Sequence, residues 1–160
     1  MTTTAAGPLV EQRRIGRWTV HAIQGGAQRL DGGAMFGIVP KPLWSRRVTP
    51  DDRNRILLGM RCFLVEHESG LVLIETGAGN KEDPKFYEIY GIDNQGKGGR
   101  TLLEDGLEEI GVRAEDISLV IDTHLHFDHA GGNTYRDRDG KVDRGRTAQF
   151  QALVCGVLHG

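Results

Sequence analysis

The 160-residue chain carries 20 Lys and Arg against 22 Asp and Glu, a net charge of −2, with 38% hydrophobic residues. That length suits one domain with a single core, and the charge balance excludes the basic excess expected of a protein that binds nucleic acid or an anionic membrane. Two cysteines, Cys62 and Cys155, exclude a disulfide framework; no window suits a membrane span and residues 1–7 lack the pattern of a signal peptide, so a cytoplasmic protein is expected.

In chain order, residues 1–14 read as a flexible lead. Trp18-Thr19-Val20-His21-Ala22-Ile23 is rich in β-branched and aromatic residues and predicts a strand. Gly25-Gly26 and Asp31-Gly32-Gly33 are turn signals. Met35-Phe36-Gly37-Ile38-Val39 predicts a second strand, stopped by Pro40 and Pro42. Residues 56–66 are largely apolar, Glu68-Ser69-Gly70 is a turn, and Leu71-Val72-Leu73-Ile74 is apolar again. This predicts a β-hairpin with at least one arm buried on both faces, and Cys62 as a small core residue within it.

Residues 76–99 read as a glycine-rich loop. Within it Gly91 to Lys97 has the spacing Gly-x-x-x-x-Gly-Lys of a phosphate-binding loop, but position 98 is Gly, so the hydroxyl that would hold Mg²⁺ is absent. Thr101 and Glu104 match a capping box, Leu103, Leu107 and Ile110 follow at helical spacing, and Gly111 stands where a helix ends. A helix over residues 102–110 is predicted. Residues 114–116 suggest one more turn, and Ile117-Ser118-Leu119-Val120-Ile121-Asp122-Thr123 a buried strand. Helix followed by buried strand indicates an α/β arrangement.

Where that strand ends the sequence reads His124-Leu125-His126-Phe127-Asp128-His129, then Ala130-Gly131-Gly132-Asn133. Ligands bind at the carboxyl ends of strands in open α/β sheets. Three imidazoles packed together would cost desolvation or repulsion unless a metal or hydrogen-bond partners offset it. Imidazole nitrogen and carboxylate oxygen together suit zinc, and also iron, cobalt or manganese. If strand geometry persists, His124 and His126 point to the same side. A turn at Ala130-Gly131-Gly132 would swing Asp128 and His129 towards a second position nearby. His21 and His67 stand alone and read as ordinary core or surface residues.

Residues 123–133, Thr-His-Leu-His-Phe-Asp-His-Ala-Gly-Gly-Asn, resemble the signature of the metallo-β-lactamase superfamily, with a complete H-x-H-x-D-H pattern. Residues 73–77, Leu-Ile-Glu-Thr-Gly, resemble the family's Asp-Thr-Gly strand end, with Glu75 in place of the Asp. The resemblance covers about residues 17–150. It implies an α/β fold, the N-terminal half of a four-layer αββα sandwich, in a partial domain over residues 15–150 followed by an atypical tail at 151–160. It further implies that His124 and His126 ligate a first Zn²⁺, and Asp128 and His129 a second. A hydroxide between the two ions would attack an ester, lactone or related bond of a small-molecule substrate, and Asp128, as the catalytic candidate, would orient it. Within the superfamily the motif looks most like lactonases.

The family's remaining ligands come from the second half of its fold. His159, in the apolar stretch at the end, reads as a chance residue, since a fraying terminus cannot hold a zinc ligand. Residues 147–150 look like a family strand. The expectation is a truncated copy whose half sandwich exposes an apolar face open to self-association. Two other readings stand beside the hydrolase: a mononuclear-iron oxidoreductase of the same superfamily, and a catalytically inactive metal-binding fragment.

Overall fold

The structure, a computed structural model, describes residues 7–136, 139–144 and 152–154; for residues 143–144 and 152–154 it describes the backbone alone. Residues 147–150, Cys155 and His159 lie outside the described residues.

A six-stranded sheet organises the chain, in the order β1-β2-β3-β4-β5-β8. Its members are β1 (Val10–Ile15), β2 (Trp18–Asp31), β3 (Arg55–His67), β4 (Gly70–Ile74), β5 (Ile117–Asp122) and β8 (Ala152–Val154). Two further short strands, β6 (Thr134–Arg136) and β7 (Val142–Arg144), pair with each other. The first four strands of the sheet run antiparallel to their neighbours, whereas β5 joins β4 in parallel and β8 joins β5 in parallel. The carboxyl ends of β2, β4 and β5 therefore share one edge.

The helices are α1 (Gly32–Phe36), α2 (Lys41–Trp44), α3 (Pro84–Tyr90), α4 (Leu102–Glu109) and α5 (Phe127–Ala130). Helix α4 covers one face of the sheet. It starts at the predicted capping box: Glu104 N donates to Thr101 Oγ1, and Thr101 N donates to Glu104 Oε2 at 2.7 Å. Leu103 and Leu107 bury against Ile23, Cys62, Leu64, Leu73, Ile117 and Val120, which form the core. Gly106 lets the helix approach, because a Cβ there would lie 2.3 Å from Ile23 Cγ2. Cys62 is fully buried, and burial, reinforced by the charges of Glu75 and Asp122, pushes its thiol up to about 12. It is an inert core residue at neutral pH. On the opposite face of the sheet Leu57 and Phe63 are exposed.

The hairpin β3–β4, helix α4 and strand β5 form where the sequence places them, but neither hairpin arm is buried on both faces: β3 alternates buried and exposed residues, and in β4 only Leu73 is buried. Elsewhere the fold differs from it. Val10–Arg14 are not part of a flexible lead but an edge strand, polar because all but one of the residues in β1 are exposed. Gly25-Gly26 is not a turn: β2 runs straight through it with a one-residue bulge between Gln24 and Ala27. The expected strand at 35–39 is replaced by α1, which Asp31 caps by accepting from Ala34 N. Phe36 then stacks on Trp44 at 5.0 Å rather than entering the sheet.

The stretch at 76–99 contains α3, capped by Asp83, opened by Pro84 and closed by Gly91 in the left-handed region. The phosphate-loop look-alike is thus the exit of a helix rather than a strand-to-helix turn. Residues 152–154, expected in an atypical tail, pair with β5. No helix among the described residues is long and apolar enough to cross a membrane.

Candidate metal centre

Strand β5 delivers the motif to the shared edge. Beyond Asp122 the chain bends, and His126 stands at the start of α5, whose single turn carries Asp128 and His129. The backbone of that turn is tied to the end of β4. Thr76 donates twice to His129 O, from N at 2.7 Å and from Oγ1 at 3.0 Å, and Gly132 N donates to Gly77 O at 3.1 Å. These two segments touch only because glycines sit between them. A Cβ on Gly131 would lie 2.5 Å from Ala78 O, and one on Gly132 would lie 2.4 Å from Thr76 O. From outside, Phe86 and Tyr90 of α3 pack on Phe127, with ring centroids 5.0 and 4.6 Å apart, and brace α5.

All four candidate ligands gather here. The rings of His124 and His126 lie 4.7 Å apart, on a common side even though the backbone has left strand geometry. Those of His124 and His129 lie 4.0 Å apart. His129 Nε2 is 3.4 Å from Asp128 Oδ2. Among the described residues no three His, Cys, Asp or Glu side chains already surround one point. The donors are collected but their rotamers are not set on a common ion. His126 is exposed, while His124, Asp128 and His129 are half-buried.

The donor set and its supports fit a metal. Three imidazoles and a carboxylate suit zinc, and metal-binding histidines usually have the second ring nitrogen held by a carboxylate or carbonyl. Glu75 supplies that carboxylate: its Oε2 lies 3.0 Å from His129 Nδ1, while its Oε1 accepts from Thr123 N at 3.0 Å. The His129 ring thus faces the Glu75 carboxylate through Nδ1 and Asp128 Oδ2 through Nε2. Glu75 has φ +66°, a left-handed conformation uncommon outside glycine, and its side chain is buried. Such strained residues concentrate at functional sites. The Glu that stands where the family pattern has Asp therefore does reach the site.

Asp122, fully buried, closes the frame behind the motif. It accepts from Asn133 Nδ2 at 2.6 Å, and Thr76 Oγ1 donates to Asn133 Oδ1 at 3.2 Å. Burial pushes the Asp122 carboxyl up, partly offset by the Asn133 amide. Another contact had no local signal at all. Gln28 on β2, 100 residues away, donates from Nε2 to Asp128 Oδ2 at 2.5 Å.

His21 and His67 take no part. His21 is buried 2.7 Å from Glu66 Oε1, and His67 Nδ1 accepts from Ser69 N.

Replacing Glu75 by Gln should leave the fold intact, because the amide oxygen can still accept from Thr123. It should weaken zinc binding by roughly tenfold through the loss of charge behind His129. Competition with a chromophoric chelator, alongside circular dichroism, measures both.

Residues 59–145 match the family model of the metallo-beta-lactamase superfamily. A probable metal-dependent hydrolase from Staphylococcus aureus superposes with a TM-score of 0.69 at 35% identity, covering 78% of this chain and 43% of that one. An N-acyl homoserine lactonase of Bacillus cereus is 33% identical over 85 residues, 50% of this chain and 34% of the relative. AidC, a dizinc quorum-quenching lactonase, shares the fold at 18% identity with a TM-score of 0.61, covering 89% of this chain and 43% of its own. The chain thus spans about a third of the curated relative and under half of these solved structures. In fold and in matched residues, the chain belongs to the metallo-beta-lactamase superfamily.

Proposed function

We propose that this chain carries the N-terminal half-site of a zinc-dependent hydrolase acting on a lactone or related ester of a small molecule. The observation that carries the reading is the gathering of His124, His126, Asp128 and His129 at the carboxyl end of β5, with Glu75 behind His129. Similarity to the Bacillus cereus lactonase favours a lactone among the hydrolysable bonds.

In this reading His124 and His126 would hold one ion, and Asp128 and His129 a second. Bound zinc would supply an ionised water near neutral pH and polarise the substrate carbonyl. Asp128, besides serving as a ligand, would orient the attacking oxygen. Glu75, 3.0 Å from His129 Nδ1, stands behind that ligand on the side away from Asp128. The paired Thr76–His129 backbone holds α5 against β4 so that the ligands share one edge.

The test is hydrolysis of N-acyl homoserine lactones and chromogenic esters by zinc-loaded protein. Ring opening that a chelator abolishes and zinc restores is the expected result. Zinc-loaded, folded protein with no turnover on lactone or ester would reject the hydrolase reading for this chain.

A further inference from the structure

Gln28 has a side chain that packing alone does not explain. It is 2% exposed, its Nε2 donates to Asp128 Oδ2, and its Oε1 is buried without a hydrogen-bond partner among the described residues. A buried amide satisfied on one side only costs stability, and a methionine of similar size would avoid that cost.

How Gln28 comes to face the site follows from the backbone. Residues directly opposed across an antiparallel pair share a face. Before the bulge, His21 opposes Leu64 and Ile23 opposes Cys62, so odd-numbered residues of β2 face α4. After it, Gln28 opposes Leu58 and Leu30 opposes Ile56, so even-numbered residues do. One inserted residue reverses the parity and turns Gln28, rather than Ala27 or Arg29, inward.

The bulge is locked in place. Ala27 and Asp93 exchange backbone hydrogen bonds of 2.8 Å in both directions. Gly26, at φ +119°, is pressed so close that a Cβ would lie 2.6 Å from Asn94 Cβ. A Cβ added to Gly25 would lie 2.8 Å from Met60 O.

We propose that Gln28 is a positioning residue for metal binding. Its amide engages Asp128 Oδ2 and so fixes the orientation of the carboxylate, and the Gly25-Gly26 bulge is the backbone device that aims it. The inference rests on the metal reading above. It concerns how one ligand is oriented, not whether the ligands exist.

The experiment titrates the metal-free chain with Zn²⁺ and Co²⁺ in chelator competition, for wild type, Gln28→Met and Gln28→Asn. Met matches the size of Gln without a donor; Asn keeps the amide but is one methylene short of Asp128. Both should bind 10- to 100-fold more weakly, the range seen when a ligand loses its outer hydrogen-bond partner. The Co²⁺ d–d bands should change in intensity, which a purely structural role would not produce, while the thermal midpoint of metal-free protein holds. If Met at 28 prevents folding, folded Gln28→Asn must show the loss. Wild-type affinity and cobalt spectrum in either folded variant would overturn the proposal alone. Failure of the wild-type chain to take up either ion would overturn the metal reading and this proposal with it.

Discussion

Replacing His126 with alanine should abolish tight zinc binding and leave the fold nearly untouched. The side chain is exposed, makes no capping hydrogen bond to α5 and packs only edge-on against His124 at 4.7 Å, so little in the metal-free structure depends on it. Surface substitutions of this kind shift stability by no more than about 0.5 kcal/mol. In its proposed role as a direct ligand, its loss should exceed the roughly 10- to 100-fold that an outer-shell partner costs. His21→Ala is the matched control: that imidazole is buried beside Glu66, so its removal should lower stability and spare metal affinity. Chelator competition and urea unfolding on the two variants separate the effects. Equal zinc affinity in His126→Ala and wild type would contradict the ligand assignment.

The second large effect is predicted at Gly132. An alanine Cβ would meet Thr76 O at 2.4 Å and the side-chain Cβ of Thr76 at 3.0 Å, on a residue whose backbone is paired to the motif. No flexible side chain can move aside, so β4 and α5 must separate. That would break the 2.7 Å bond from Thr76 N to His129 O and the 3.1 Å bond from Gly132 N to Gly77 O. Overpacking and lost hydrogen bonds together suggest a loss of about 3 kcal/mol in the metal-free protein, with weaker zinc binding besides. Gly111→Ala offers the contrast. There φ is +74° with open space around it, so the cost is conformational, about 1 kcal/mol, and the metal site should be unaffected. Urea denaturation of both variants tests the pair; a Gly132→Ala protein as stable as wild type would contradict the close approach.

What was legible in the sequence was local. The apolar runs of β3, β4 and β5 and the capping box of α4 declare themselves within a few residues, and so does the histidine motif. What was not legible depended on partners elsewhere. Strand β1, with Glu11, Gln12, Arg13 and Arg14, has no hydrophobic pattern and exists because β2 offers it an edge. Gly25-Gly26 reads equally as a turn or a bulge, and the backbone pairing of Ala27 with Asp93 decides it. Gln28 carries no local mark, since its meaning comes from a residue 100 positions on. Two misses had signals that could have been used. Asp83-Pro84 with Gly91 frames α3, and Asp31 before Gly32-Gly33-Ala34 caps α1, in both cases through the carboxylate three residues before the amide it accepts from.

Glu75 shows how site and fold are joined. The family-like strand end pointed to its position, but only the structure reveals that one carboxylate spans Thr123 N and His129 Nδ1. The same edge is built from the ends of β2, β4 and β5, which places Gln28, Glu75 and the motif together although they are far apart in sequence. Each element there orients something else: Gln28 holds Asp128, Glu75 backs His129, Asp122 and Asn133 anchor the turn, and α3 braces α5 through Phe127.

The most direct measurement is the metal content of the chain purified after growth in zinc-rich medium, beside His126→Ala prepared identically. Zinc should be retained through purification by the folded wild-type chain and lost from the folded variant. Folded wild-type protein without metal, and without uptake on titration, would contradict it.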